Sequence, residues 1–312
     1  MSEDFAPKAS PYADQWDWLF FVLVTVSAIV VAAVLVAIVV FSIRYRKGAA
    51  AFRKDLPGAF SNRLEYGWTT ATALGFLAMF WWAAATQLHH AVPPEGAVEI
   101  HVLAKQWMWK IQQPNGVQEI NELHAPTGQP VELIMTSEDV IHSMFLPALR
   151  LKQDVLPGRY TYLWFNGDKP GVYHLLCAEY CGTAHSRMTG RFILMSPVDY
   201  SRWSARQPQA DNAAKQGEGL FNSLGCTGCH AQNSSVHAPD LHNVYGRPVQ
   251  LADGRSVVAD EAYLRDSILL PGKDVVAGFD PIMPSFRGQV NEEQIMQLIA
   301  YLKSLAAPGR NK

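Results

Sequence analysis

Residues 18–43 read WLFFVLVTVSAIVVAAVLVAIVVFSI and carry no formal charge, and this stretch decides how the N-terminal part of the chain folds. About 20 apolar residues are enough for a helix to cross a bilayer. A second uncharged stretch lies between Tyr66 and Leu88. The sequence therefore predicts a hairpin of two transmembrane helices, at about residues 18–43 and 66–88, within an N-terminal segment that covers residues 1–94.

A cleaved signal peptide is the alternative interpretation of the first stretch. Such a peptide has a basic start and an apolar core of about 7–15 residues. Here the preceding segment is acidic apart from Lys8, and the apolar stretch is longer than such a core. We therefore favour a membrane anchor.

The segment between the two stretches is basic, and this predicts its orientation. Cytoplasmic loops accumulate Lys and Arg. The only acidic residue among residues 44–63 is Asp55, whereas six residues are basic: Arg44, Arg46, Lys47, Arg53, Lys54 and Arg63. We predict that this loop is cytoplasmic, and that both termini and everything after about Glu95 lie on the outer side of the membrane.

The overall composition limits the classes of function. A chain of 312 residues has room for two or three domains. Its formal net charge of −2 gives no basic footprint for nucleic acid. Four cysteines are too few for a small secreted scaffold that depends on disulfides. A membrane-anchored protein with separate domains fits these values better.

The pattern of apolar residues changes after the second stretch. Short segments rich in β-branched and aromatic residues predict a β-sandwich or barrel over residues 95–196. The clearest strands are 131–136, 160–165, 172–177 and 190–195. The polar residues 197–212 predict a linker. Residues 213–312 predict a helical domain, which ends in a helix that Asn291 caps and that buries Ile295, Leu298, Ile299 and Leu302.

Residues 226–230 read Cys-Thr-Gly-Cys-His, the signature of covalent haem c attachment. Two thiols add to the two vinyl groups of one porphyrin, and the adjacent imidazole reaches the iron. A redox-active dithiol is the alternative, but it needs a βαβ context that the sequence does not indicate. We predict haem c on Cys226 and Cys229, with His230 as an axial ligand and Pro239 in contact with that histidine.

A haem that carries electrons needs a second axial ligand, and Met opposite His raises its potential. Met283 lies in the proline-containing loop PIMPSF (281–286), whereas Met296 lies in the predicted last helix, where core packing explains it. His237 and His242 are alternative ligands, which we interpret as exposed loop residues. The prediction is therefore Met283.

The other two cysteines lie in residues 177–188, which read Cys-Ala-Glu-Tyr-Cys-Gly-Thr-Ala-His-Ser-Arg-Met. Thiolate, imidazole and thioether donors together suit copper. Two bridging thiolates would hold two copper ions and spread one electron over both. The predicted ligands are His142, Cys177, Cys181 and His185, with Met188 and the main-chain oxygen of Glu179 as weaker ligands. A Cys177–Cys181 disulfide and a zinc site, which needs no Met188, are the alternatives.

These residues give the chain a close resemblance to subunit II of cytochrome c oxidase, in the bacterial form with a cytochrome c domain fused at the C-terminus. The likeness covers nearly the whole chain. Besides the two cysteine motifs, it rests on residues 106–109 (QWMW), 138–143 (EDVIHS) and 151–159 (LKQDVLPGR).

The resemblance implies a multidomain membrane protein with a two-helix transmembrane hairpin, an all-β cupredoxin domain that carries a binuclear copper centre (CuA), and an all-α class I cytochrome c domain. It also implies that the Glu179 carboxylate helps to hold a Mg²⁺ ion shared with subunit I. Trp107 would be the residue where electrons enter, and Glu65 would lie at the mouth of a proton channel in subunit I. Strand packing of Trp107 and a merely interfacial Glu65 are the alternatives.

By resemblance, the chain is expected to serve a proton-pumping terminal oxidase of the bacterial inner membrane. Electrons from a cytochrome c-type donor would pass through haem c and CuA to subunit I, where O₂ is reduced to water, so no catalytic residue lies in this chain. The expected partners are oxidase subunits I and III, the donor and membrane lipid. A CuA-bearing subunit of a nitric oxide reductase, a free-standing electron carrier and a copper-delivery protein are the alternatives.

Overall fold

A computed structural model describes residues 7–49, 58–89, 92–207, 213–231, 234 and 236–306. The loop cations Arg53 and Lys54 and the end of the predicted linker (208–212) lie outside these ranges. The chain divides into two compact units, one that spans Pro11–Val92 and one that joins Met1–Ser10 to Pro93–Lys312.

The first unit consists of two long helices, α1 (Pro11–Arg44) and α2 (Gly58–His89). Both are long and apolar enough to cross a membrane, with mean hydropathies of 3.1 and 1.3 in their most apolar windows. Each begins before the predicted uncharged stretch. At 1.5 Å per residue, α1 is about 51 Å long, whereas the hydrocarbon core is about 30 Å thick. The helices therefore extend beyond the apolar stretches into polar sequence.

The second unit begins with two five-stranded sheets, which confirms the predicted β domain. Their orders are β3-β2-β1-β5-β8 and β4-β10-β9-β6-β7. The strands are β1 (Val98–Lys105), β2 (Met108–Gln112), β3 (Gln118–Ile120), β4 (Glu122–Pro126), β5 (Val131–Ser137), β6 (His142–Leu146), β7 (Leu151–Val155), β8 (Thr161–Phe165), β9 (Gly171–Cys177) and β10 (Thr189–Met195).

The core of the β domain lies between the two sheets. Side chains alternate between the faces of a strand, so every second residue points inward. The largest inward side chains, Trp109, Phe165 and Phe192, are buried, and the two phenylalanine rings pack edge to face with centroids 5.2 Å apart. This packed core gives the loops at the sheet ends a rigid support.

The C-terminal region is mostly helical, as predicted. It contains α4 (Ala213–Ser223), α5 (Thr227–His230), α6 (Glu261–Leu269) and α7 (Glu292–Ser304), together with a short antiparallel hairpin of β11 (Pro248–Gln250) and β12 (Ser256–Val258). The hairpin is a departure from an all-helical domain. Asn291 caps α7 through a capping box with Gln294, and the four apolar residues predicted for its buried face are buried.

The polar segment between these domains is partly folded. Residues predicted as the start of a linker form α3 (Pro197–Arg206), which Ser196 caps. The Tyr200 hydroxyl donates a hydrogen bond to Gln113 Oε1 (2.7 Å), and the Trp203 ring stacks on His124 at 4.1 Å. Two aromatic residues thus fix this helix to the β domain, although its composition is polar.

Gly217 allows α4 and α7 to approach each other closely. A Cβ atom at this position would lie 1.9 Å from the Gln297 carbonyl oxygen and 2.9 Å from Tyr301 Cβ. We expect Gly217→Ala to destabilise the helical domain by about 3 kcal/mol, because the helix backbones must separate. Gly219→Ala is the control, since its Cβ meets no atom within 4 Å. Thermal unfolding of the full chain, followed by circular dichroism, should show a lower midpoint for the first variant only.

Candidate metal and haem sites

One sheet places the predicted copper donors close together. His142 is the first residue of β6, and Cys177 is the last residue of β9. These strands are antiparallel neighbours, with Met144 opposite Cys177. The 177–188 loop therefore leaves β9 beside the start of β6 before the chain returns as β10.

Within this loop the donor atoms surround the sulfur of Cys181. Its Sγ lies 3.8 Å from Cys177 Sγ, 3.5 Å from His185 Nδ1 and 3.8 Å from Met188 Sδ. Cys177 Sγ lies 3.3 Å from the main-chain oxygen of Glu179. The structure thus gathers sulfur, nitrogen and carbonyl donors from residues 177–188 into one cluster.

His142 completes the cluster and has one ring nitrogen to spare. Ligand atoms of His142, Cys177 and Cys181 all lie within 4.8 Å of one another. The His142 ring is fully buried; its Nε2 lies 2.8 Å from Asp139 Oδ1, while its Nδ1 has no hydrogen-bond partner among the described residues. A buried polar atom without a partner is unfavourable. An imidazole held by a carboxylate through one nitrogen is how metal ligands are usually oriented, so the residues fit a metal.

Asp139 orients His142, although the sequence pattern did not predict it as part of the metal site. Its carboxylate accepts hydrogen bonds from the backbone amides of Gln106 (2.8 Å) and Val140 (2.7 Å). Partial burial opposes ionisation, but these hydrogen bonds and the His142 ring hold the pKa of Asp139 below its usual value. The sequence did contain one indication of this role, because Asp139 lies three residues before the predicted ligand His142, within residues 138–143.

The two thiols differ in acidity because they lie side by side. Burial opposes ionisation of Cys177, but the neighbouring His142 imidazole and backbone groups bring the pKa of this thiol down to about 6. Burial and the charge of Cys177 raise the pKa of Cys181 to about 12. Two thiolates 3.8 Å apart repel each other, so a bound cation would stabilise the pair.

The surroundings of the thiols bear on the alternatives to copper. Both cysteines are free, and their 3.8 Å separation is far longer than a disulfide bond of about 2.05 Å. The thioether of Met188 is fully buried against Cys181. A thioether is a soft donor that suits copper, whereas zinc sites use Cys, His and carboxylates.

Trp107 and Gln106 contact the same loop. The Trp107 indole donates a hydrogen bond to the Cys181 carbonyl oxygen (3.2 Å), and the Gln106 amide donates to the same oxygen (2.8 Å). Gly182 has a φ of +118°, and a Cβ there would lie 2.9 Å from the Gln106 amide nitrogen. Trp107 is half-buried against the β core and thus links the surface to the cluster.

A cavity of about 510 Å³ surrounds the predicted haem motif. Cys226, Cys229, His230 and Met283 all line it, and most of the remaining lining is apolar. Cofactor pockets commonly measure about 300–1,000 Å³ and are mainly apolar with a few polar groups. The cavity therefore has the size and chemistry to accommodate a porphyrin next to both thiols.

The predicted iron ligands differ from the alternative histidines in the residues that they contact. His230 Nδ1 lies 3.0 Å from the Pro239 carbonyl oxygen, the contact that the sequence predicted. His237 lines the cavity, but its ring stacks on Phe279 at 4.6 Å. His242 is exposed and lies 2.8 Å from Asp240. The structure therefore brings Met283 and His230 to one cavity and gives the two alternative histidines other partners.

A second group of acidic and imidazole side chains lies elsewhere in the β domain. Ligand atoms of Glu119, Glu122 and His124 lie within 4.8 Å of one another. Protein side chains already contact both carboxylates, because Glu122 pairs with Arg191 and Glu119 contacts His124. We interpret this group as a structural network.

The two predicted acidic sites at the subunit I contact lie on the surface. Glu65 is exposed on α2, and Glu179 is exposed in the loop between β9 and β10. Their predicted roles concern a partner chain and remain predictions.

Two family models match separate parts of the chain. Residues 112–194 match the periplasmic domain of cytochrome c oxidase subunit II, and residues 214–306 match cytochrome c. The first match contains the predicted copper donors, His142 and those in residues 177–188, and the second contains the haem motif and Met283.

Named relatives extend these matches over the chain. Cytochrome c oxidase subunit 2 of Alkalihalophilus pseudofirmus is 30% identical, over 98% of this chain and 92% of its own length. Cytochrome c oxidase subunit 2 of Synechocystis is 42% identical over 36% of this chain and 33% of its own length. A solved structure, the periplasmic domain of subunit II of cytochrome oxidase of Bradyrhizobium japonicum, is 26% identical over 36% of this chain and 94% of that chain, with a TM-score of 0.35.

Proposed function

Because the chain belongs to the cytochrome c oxidase subunit II family, whose members are subunits of an oxidoreductase complex, we propose that it carries single electrons through two centres of its own, a haem c and a binuclear CuA. One observation supports this most strongly. Two thiol sulfurs lie 3.8 Å apart beside a buried thioether and a buried imidazole whose Nδ1 has no hydrogen-bond partner in the part of the chain that the structure describes.

The copper centre would depend on residues from β6 and the 177–188 loop. Cys177, Cys181, His142 and His185 would hold the two copper ions, with Met188 and the Glu179 carbonyl oxygen as the weaker ligands. Copper held by these residues would supply a site that gains and loses one electron. Asp139 fixes the His142 ring, and the β core excludes water from Met188.

The haem centre would depend on the C-terminal domain. Cys226 and Cys229 would hold the porphyrin covalently, while His230 and Met283 would bind its iron. The Pro239 carbonyl orients His230 through Nδ1, which leaves the other ring nitrogen for iron. Methionine as the second ligand raises the potential of such a haem.

The route of electrons then follows from the family. Electrons from a cytochrome c-type donor would enter at the C-terminal domain or at Trp107, and they would leave this chain from the copper-binding loop for subunit I, where O₂ is reduced and protons are pumped. The metal domains would lie on the outer side of a bacterial inner membrane, which both helices cross. Subunit III, a Mg²⁺ ion held in part by Glu179, and a proton channel near Glu65 complete this proposal.

The comparisons do not favour a nitric oxide reductase, because the named relatives are cytochrome c oxidase subunits. Uptake of O₂ and of NO by the purified membrane complex separates the two activities. We expect continuous uptake of O₂ and slow or no uptake of NO. The opposite preference would favour the reductase.

A second experiment tests the electron-transfer role itself. The isolated full chain, loaded with haem and copper, should accept electrons from reduced cytochrome c in a fixed ratio without continuous O₂ uptake. The assembled complex should consume O₂ continuously, and Cys181→Ser should stop this uptake. Ser186→Ala, an exposed position in the same loop, is the control. Unchanged O₂ uptake in Cys181→Ser would contradict the proposed role.

A further inference from the structure

The outer face of one sheet is apolar at the place where the helical domain packs. Leu103 in β1 lies between Val102 and Ala104, which point into the β core, so its own side chain points away from that core. Ile134 in β5 also lies between two residues that point into the β core, so its side chain points away from that core as well. Both residues, with Tyr160, belong to the buried cluster of the helical domain, which includes Leu264, Ile268, Ile295 and Ile299.

A partly buried lysine joins the two domains at the edge of this apolar surface. Lys303 of α7 contacts the Glu99 carboxylate on β1, and its Nζ lies 2.8 Å from Glu261 Oε1 on α6. The same ammonium group lies 4.6 Å from the centre of the Tyr245 ring. Burial opposes its charge, but Glu261 and Glu99 raise the pKa of Lys303, so it remains a cation.

Arg265 of α6 makes a second connection. Its side chain is only 5% exposed, and its Nη1 donates a hydrogen bond to the Gly158 carbonyl oxygen (2.6 Å) in the turn that precedes β8. Its other nitrogens bind the Glu292 carboxylate, which neutralises the charge. The backbone of the β domain thus accepts a directed hydrogen bond from a buried cation of the helical domain.

Glu293 makes a third connection, which is half-exposed. It lies 3.2 Å from Lys110 Nζ on β2, and Gln118 Nε2 on β3 lies 3.3 Å from its other oxygen. The three connections involve β1, β2, β3 and the β7–β8 turn, so together they surround the apolar patch.

This combination specifies one orientation of the domains. Apolar burial drives association but is not directional. Buried ion pairs add little net stability, because desolvation offsets the attraction, yet they select one register when only that register pairs every charge. If only the linker held the helical domain, the domain would be free to rotate relative to the sheet.

We propose that the outer face of the β3-β2-β1-β5-β8 sheet is a docking surface for the chain's own C-terminal helical domain. This face holds the helical domain in one fixed orientation without help from the linker. The surface consists of Leu103, Ile134 and Tyr160, with Glu99 and the Gly158 carbonyl as polar anchors. The docking contacts use none of the residues that are proposed to bind copper or haem, so the proposal stands or fails separately from the proposed function.

Cutting the linker tests this proposal in the full-length chain. A protease site replaces residues 208–212, a C-terminal tag marks the released domain, and the cut protein is passed over a sizing column in detergent. In the unsubstituted cut protein, the tagged domain should elute together with the membrane-anchored part. At the same protein concentration, the tagged domain of the cut Glu99→Lys variant should elute separately. We expect the dissociation constant of the cut variant to rise at least about tenfold, because a lysine then faces Lys303.

Two controls keep the result interpretable. Glu122→Lys makes the same charge change at a half-exposed ion pair with Arg191 inside the β domain, and it should leave the dissociation constant unchanged. Lys110→Glu should weaken docking, and a second substitution, Glu293→Lys, should restore it. Immediate separation of the unsubstituted cut protein, or equal retention of Glu99→Lys and Glu122→Lys, would overturn the proposal.

Discussion

Replacement of Cys181 by serine should remove copper from the full-length chain and leave its covalent haem in place. Cys181 Sγ lies at the centre of the cluster, within 3.8 Å of Cys177, His185 and Met188 donor atoms. A hydroxyl is a harder and far less acidic donor than a thiol, so it does not replace a bridging thiolate. Loss of an outer partner of a metal ligand already costs 10–100-fold in affinity, so we expect a loss above about 100-fold.

Metal analysis and electron paramagnetic resonance measure this effect. The unsubstituted chain should show the spectrum of mixed-valence copper, and Cys181→Ser should show no such spectrum. Cys226→Ser is the matched control, because it makes the same chemical change at a cysteine of the other domain. Copper bound equally well by both variants would contradict the assignment of Cys181, and zinc in place of copper would contradict the assignment of the metal.

Loss of both haem-motif thiols should unfold the helical domain. The double variant Cys226→Ser/Cys229→Ser has no thiol to hold a porphyrin, so the cavity of about 510 Å³ would be left without its occupant. The mainly apolar lining of this cavity would then be exposed to water, which removes burial that stabilises the domain. Whole domains are stable by only about 5–15 kcal/mol, so loss of this burial is enough to unfold the domain.

Haem staining on a denaturing gel and limited proteolysis of the full chain test this prediction. We expect no covalent haem in the double variant and rapid cleavage within residues 213–306, while the β domain stays resistant. Cys177→Ser should keep the stain and the resistance of the helical domain. A double variant as resistant as the unsubstituted chain would show that the cavity closes without its ligand.

Much of the secondary structure was predictable because it depends on neighbouring residues. The strand-forming composition of residues 131–136 predicted β5, and the spacing of Ile295, Leu298, Ile299 and Leu302 predicted α7. The start of the linker was harder. Its polar composition concealed α3, which is held by the stacking of Trp203 on His124, a contact between residues far apart in the chain.

The same division applies to the candidate copper site. The donors in residues 177–188 are contiguous, so one loop brings them together and the sequence indicated them as a group. Asp139 and Gln106 were not predicted as supports of the cluster. They act through contacts with His142 Nε2 and the Cys181 carbonyl, and the second of these joins residues 75 positions apart.

The sequence alone determined the two apolar stretches, the haem motif and the donor-rich loop, because each depends on the chemistry of residues that are close in the chain. Only the tertiary structure decided how the domains face each other. Lys303 and Glu99 are 204 positions apart, and whether they meet depends on which faces of the sheet and helices pack together. That choice depends on the summed burial of apolar side chains and the pairing of every buried charge, which no local pattern of residues records.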